Sequence, residues 1–82
     1  MELPMAYQKL LHEIAPELNP AGVEAMMRLQ HHTLNHLPRA VFVAEAKLAA
    51  ELERQSPGSL REIAASMGME VEFAQWEAGN AA

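Results

Sequence analysis

Three histidines, His31, His32 and His36, fall within six residues of one another, and imidazole is the side chain that binds divalent metals and exchanges protons near neutral pH. His32 and His36 have the i, i+4 spacing that sets two ligands on one helix face, as zinc sites use. No carboxylate joins the pair at a fitting offset, and Arg28 behind it repels a cation. Protonated imidazoles at a helix C-terminus are also stabilised by the macrodipole without any ligand. The cluster is therefore read as the end of a helix, and no metal or cofactor is expected. His12 stands alone in an earlier segment and is expected as a surface or partly buried side chain instead of a base. Catalysis has as little support, because general acid–base chemistry needs a group whose pKa is moved by a pocket, and a chain of 82 residues has little volume for one. Ser56, Ser59, Ser66 and Thr33 fit cap or helix positions, and "SPGSLRE" lacks the glycine spacing and the lysine of a phosphate loop. No enzymatic activity is expected.

Carboxylates are the commoner charged groups. All eleven acidic residues are Glu, against six Lys and Arg, for a formal charge of −5. That balance disfavours generic binding to a phosphate backbone and favours docking on a basic protein surface. Four of the glutamates, Glu62, Glu70, Glu72 and Glu77, follow Arg61, and no Lys or Arg lies beyond that point. With Trp76 they form the candidate partner-binding set.

The elements that must position these residues are helices. Half the chain is apolar, but Phe, Tyr and Trp together number four and cysteine is absent, so the core is built from Leu, Ala, Met, Val and Ile without disulfide support. A homodimer interface is one way for a chain of this size to bury more apolar area. Prolines at 4, 16, 20, 38 and 57 and glycines at 22, 58, 68 and 79 divide the chain. The spacing of Leu3, Tyr7, Leu10, Leu11 and Ile14 predicts a first helix over about 4–15, stopped before Pro16. Asn19 as N-cap and Pro20 at the first helical position start a second, whose face is Val23, Met26, Met27, Gln30, Leu34 and Leu37 and whose end falls near His36. Pro38 opens a third, to about Arg54, with Val41, Glu45, Leu48 and Leu52 on its inner side and Phe42 and Ala49 beside them. Ser59 and Glu62 have capping-box spacing ahead of a fourth helix from Leu60, and Gly68 is placed to end it. Met69, Val71 and Phe73 alternate with glutamates as an edge strand does, yet a lone strand leaves its backbone groups unpaired, so a fifth helix is expected. The six methionines are read first as adaptable core filler, with any exposed one marking a contact surface.

The expected architecture is all-α: one domain over 1–82, a compact bundle of four or five short helices with a helical hairpin at the C-terminus and a frayed tail from 79. No apolar run approaches the ~20 residues that span a bilayer, and "MELPMAYQKL" has no basic region leading an apolar block, so a cytosolic protein without membrane contact is expected.

Within "REIAASMGMEVEFAQWEAG", the pairs Ile63-Ala64 and Met67-Gly68 and the closing Trp76-Glu77-Ala78-Gly79 resemble the helix-turn-helix of the lambda Cro-like repressor family. The resemblance implies a supporting helix over Leu60 to Met67, a recognition helix over Glu70 to Trp76 and a DNA-binding regulator, with Arg54 and Arg61 as the nearest phosphate contacts. The Gly68 to Trp76 spacing is one residue short of that family's, and Glu70 stands where it carries a small polar cap. A recognition helix draws its affinity chiefly from basic side chains against phosphates, and this one is acidic. The compact, acidic, cysteine-free helical chain as a whole resembles small phage-encoded inhibitors of host defence, including the anti-CRISPR type, and the stretch "YQKLLHEIAPELNPAGVEAMMRLQHHTLNHLPRA" is similar to small phage proteins of unassigned role. That resemblance implies a partner such as a CRISPR effector complex, whose basic nucleic-acid-binding surface the glutamates would occupy without any enzymatic step.

Overall fold

Proline sets the first three helix starts. The computed structural model describes residues 3–31, 34 and 36–80, and among these five helices and no strand are found: α1 (Met5–Ile14), α2 (Pro20–Arg28), α3 (Arg39–Gln55), α4 (Ser59–Ser66) and α5 (Glu70–Asn80). Pro4 holds φ −54° at the N-cap of α1, and its carbonyl accepts from the N–H groups of Tyr7 and Gln8 at 2.9 and 3.0 Å. Pro38 caps α3 in the same extended conformation. Pro20 occupies the first position of α2, behind an Asn19 whose side chain does two things. Its Oδ1 accepts the Ala21 N–H at 3.0 Å, and its Nδ2 donates to the Phe73 carbonyl at 2.8 Å, so one buried amide caps α2 and ties it to α5.

The second helix is the hub. Gly22, Val23, Glu24, Ala25, Met26 and Met27 are all buried in succession, which an amphipathic surface helix never shows, and α2 packs on α3, α4 and α5. Gly22 permits the closest of these approaches: a Cβ added there would stand 2.8 Å from Leu60 Cβ and 3.1 Å from Phe73 Cε2. α2 stops at Arg28, short of the His36 expected from spacing. Leu29 and Gln30 form a turn, with their N–H groups bonded to Met26 and Met27 carbonyls at 3.2 and 3.0 Å, and Leu34 and Leu37 come back to the core from outside the helix. Two leucines at helical spacing thus reach the core from a connection, while Gln30, expected on the inner face, is exposed.

In α3 the buried stripe is Phe42, Glu45, Ala46 and Ala49, rotated from the expected one. Leu48 is exposed, because the small faces of Ala46 and Ala49 turn inward and Phe42 brings the bulk. Phe42 is fully buried and stacks on Tyr7, with ring centroids 4.6 Å apart, while the Tyr7 hydroxyl donates to the Leu37 carbonyl. This stack and the fully buried Leu11 fasten α1 to the bundle. Ile14, expected on the inner stripe of α1, is exposed at its end.

The start of α4 differs from the expected capping box. Gly58 is the N-cap, at φ +95°, and no side chain of α4 caps it; the Ser59 hydroxyl donates instead to the Ser56 carbonyl at 2.6 Å. The cap comes from the preceding helix: Glu53 accepts from the N–H groups of Gly58 at 2.8 Å and Leu60 at 3.1 Å, placing a carboxylate at the positive end of α4. The end of α4 is as expected. Gly68 takes φ +72°, the Met69 N–H reaches the Ala64 carbonyl at 2.7 Å and the Gly68 N–H reaches that of Ala65 at 3.1 Å, the two bonds of a Schellman turn. Met69 is thereby buried next to Ala64, and the chain reverses into α5. α5 is the helix expected over the edge-strand alternative, and it runs through Gly79 and Asn80, where a frayed tail was expected to begin. Residues 81–82 lie outside those described.

Candidate functional site

α5 contributes one buried side chain, Phe73, and its first turn carries Glu70 and Glu72, where carboxylates favour the exposed N–H groups of a helix N-terminus. Both glutamates are exposed, as is Glu62 on α4, and none of the three forms an ion pair among the described residues. Val71 sits between the first two with most of its side chain in water. Glu77 differs from them. It pairs with Arg61 Nη2 at 2.5 Å, and the Arg61 guanidinium lies 5.6 Å from the centre of the Phe73 ring, so this arginine bridges α4 and α5 at the surface.

Glu72 and Trp76 are four residues apart and line one groove of about 580 Å³ between the N-terminal segment, α2 and the α4–α5 turn. Its other walls are Leu3, Gln8, Pro20, Ala21, Met67, Gly68, Met69 and Gln75, and its charged floor is Glu24 and Arg28. Glu24 is buried, accepts from the Leu3 N–H at 2.8 Å and pairs with Arg28 at 2.5 Å, four residues on in the same helix. The groove is therefore mixed in character: thioethers and an indole on one side, an internally neutralised ion pair beneath, and the Glu72 carboxylate at the edge.

Arg54 and Arg61, the phosphate contacts implied by the helix-turn-helix resemblance, are both committed to glutamates. Arg54 Nε lies 3.0 Å from Glu51 Oε2, and hydrogen bonds from Arg54 and then Gln55 hold the Glu51 carboxyl below its ordinary range, while Glu51 raises Arg54 in return. With Arg28 on Glu24, the pairs found among the described residues engage Arg28, Arg54 and Arg61.

The histidines do not converge on one site among the described residues. His31 Nε2 lies 3.4 Å from Glu45 Oε1, while His12 and His36 are exposed. His32, and with it the i, i+4 pair His32 and His36, lies outside the described residues. No group of three His, Asp or Glu side chains among the described residues stands close enough to hold a metal ion. Glu45 is buried in the core face of α3, and its Oε2 has no hydrogen-bond partner among the described residues. Of the methionines, Met26, Met27 and Met69 are core residues and Met5 is exposed.

Sequence spacing does not disclose the floor of the groove. The i, i+4 pairing of Glu24 with Arg28 is visible in the chain, but its burial follows from the hub position of α2. No helix among the described residues is long and apolar enough to cross a membrane. Comparison of the chain with protein-family models, with curated proteins and with solved structures finds no match.

Proposed function

We propose that this chain is a small acidic protein-binding module that acts from its C-terminal hairpin on a partner whose basic surface otherwise holds nucleic acid. One observation carries the reading. Glu62, Glu70 and Glu72 are exposed on α4 and α5 and form no ion pair among the described residues, around an exposed Val71 and a half-buried Trp76, while Arg28, Arg54 and Arg61 are each paired with a glutamate within the fold. Exposed carboxylates repel phosphate and attract Lys and Arg, and an aromatic beside them supplies the anchor that interfaces favour. The finer reading is an inhibitor carried by a phage or mobile element, of the anti-CRISPR type, working in the host cytosol by occupying an effector complex's nucleic-acid surface. No enzymatic step and no cofactor is part of it.

The test is displacement. Labelled target DNA bound to purified CRISPR effector complexes of several types is titrated with the chain, and the DNA is expected to leave at least one of them. Retention of DNA on every complex at high protein concentration would sink the finer reading. The regulator reading predicts that the chain alone retards mixed duplex DNA in a low-salt gel; with Arg54 and Arg61 held by Glu51 and Glu77, no retardation is expected.

A further inference from the structure

The fold already holds one arginine on α5, and it shows how. Arg61 is gripped by an aromatic ring and a carboxylate spaced i, i+4 on that helix: Phe73 beneath the guanidinium at 5.6 Å and Glu77 on its Nη2 at 2.5 Å. The neighbouring stripe of α5, about 100° around the helix, repeats the two residue types at the same spacing in the opposite order, as Glu72 and Trp76. Glu72 forms no ion pair among the described residues, and both side chains line the groove at the α4–α5 turn.

We infer that Glu72 and Trp76 are a clasp for an arginine side chain of the partner protein. The inference rests on the proposed protein-binding role and names the group that this part of the surface takes. Charge complementarity selects a cation. The groove carries two carboxylates, Glu24 and Glu72, and one guanidinium, Arg28, which is given to Glu24 at 2.5 Å, so the uncompensated charge is that of Glu72. Arg28 also keeps a second cation off the floor and leaves the α5 edge as its place. Shape selects arginine over lysine, because a planar guanidinium can lie on the indole and bond a carboxylate in the same pose, whereas an ammonium is a compact, strongly hydrated point charge. Met67 and Met69 offer adaptable thioethers along the aliphatic stem.

Trp76 is the chain's one tryptophan, so its indole N–H resonance and its fluorescence report binding at this side chain, and the Glu72 variant assigns the response to the clasp. The full chain is titrated with acetyl-Gly-Arg-Gly-amide, with its citrulline analogue, which keeps the shape and loses the charge, and with its lysine analogue. The arginine peptide is expected to shift the Trp76 indole saturably in the millimolar range, the citrulline peptide to leave it unmoved and the lysine peptide to bind about fivefold more weakly. Glu72→Gln is expected to weaken the arginine peptide about fivefold and Glu13→Gln, at an exposed glutamate of α1, to change nothing, both variants keeping wild-type helicity. Equal shifts by the citrulline or lysine peptide, or equal losses in the two variants, would overturn the clasp. A parallel titration with nona-arginine separates the two levels: salt-sensitive binding with a silent Trp76 overturns the clasp and leaves the acidic-face reading standing, and absence of binding overturns both.

Discussion

α2 and α5 have nearly the same length and opposite uses. α2 buries six consecutive residues, Gly22 to Met27, among three neighbouring helices; α5 buries Phe73 and leaves most of its other side chains to solvent. Charge follows the same division. The glutamate of α2 is neutralised by Arg28 and the Leu3 N–H, whereas Glu70 and Glu72 of α5 have no such partner among the described residues. Burial on one helix makes its side chains answerable to packing, and exposure on the other leaves them available to a second molecule. Substitutions in the α2 environment should therefore be read out as stability, and those on α5 as binding.

The largest effect is expected where the core is most complete. Phe42→Ala removes a fully buried ring from the layer beside α2 together with its stack on Tyr7, and should lower unfolding free energy by about 3–5 kcal/mol in a denaturant titration. A loss below ~1 kcal/mol would show that the α1–α3 contact is not part of the cooperative core. Next comes Gly22→Ala. Helix propensity alone favours Ala by ~1 kcal/mol, yet the added Cβ meets Leu60 Cβ, which no side-chain rotation can move, so a net destabilisation of about 1–2 kcal/mol is expected. Stabilisation would mean that α2 and α4 can separate without cost.

Smaller again is the cap on α4. Glu53→Ala should cost about 1 kcal/mol, by thermal unfolding, and Glu53→Gln less, because the amide keeps one acceptor for the Gly58 and Leu60 N–H groups. The same change at Ser59 should be nearly silent, which inverts what capping-box spacing predicts. The least effect belongs to the exposed Glu51–Arg54 pair. Glu51's pKa is lowered from its ordinary 4.5, so its contribution is present above that value and fades as pH falls through the folded pKa. Arg54→Ala should raise the Glu51 midpoint in an NMR titration without a measurable change in melting; an unmoved midpoint would show that the pair does not form in solution.

Much of the scaffold is legible in the chain, and the reason is punctuation. Pro4, Pro20 and Pro38 fix φ and lack an N–H, which suits helix starts, and Gly68 takes a left-handed conformation closed to other residues without strain. Stripe and length are less legible because they are settled between elements. Leu34 and Leu37 continue the period of α2 but reach the core from a connection, and Leu48 yields the inner face of α3 to Ala46 and Ala49. The α4 cap follows the same rule, since Glu53 outcompetes the local Ser59. On the candidate site, the glutamates and Trp76 stand out from charge and spacing alone. Their inequality does not, for it takes the folded hairpin to give Glu77 to Arg61 and to set Glu72 beside Trp76 on a groove floored by α2.

The central claim is that the carboxylates of α5, and not the overall charge of −5, make the binding surface. The direct test is a charge-matched pair of double variants. Affinity for nona-arginine is measured by calorimetry across a range of salt for Glu70→Gln with Glu72→Gln, and for Glu13→Gln with Glu51→Gln, two exposed glutamates of α1 and α3. A loss of about tenfold and a shallower salt dependence are expected for the first pair, and less than about twofold for the second. Equal losses in the two pairs would contradict the claim.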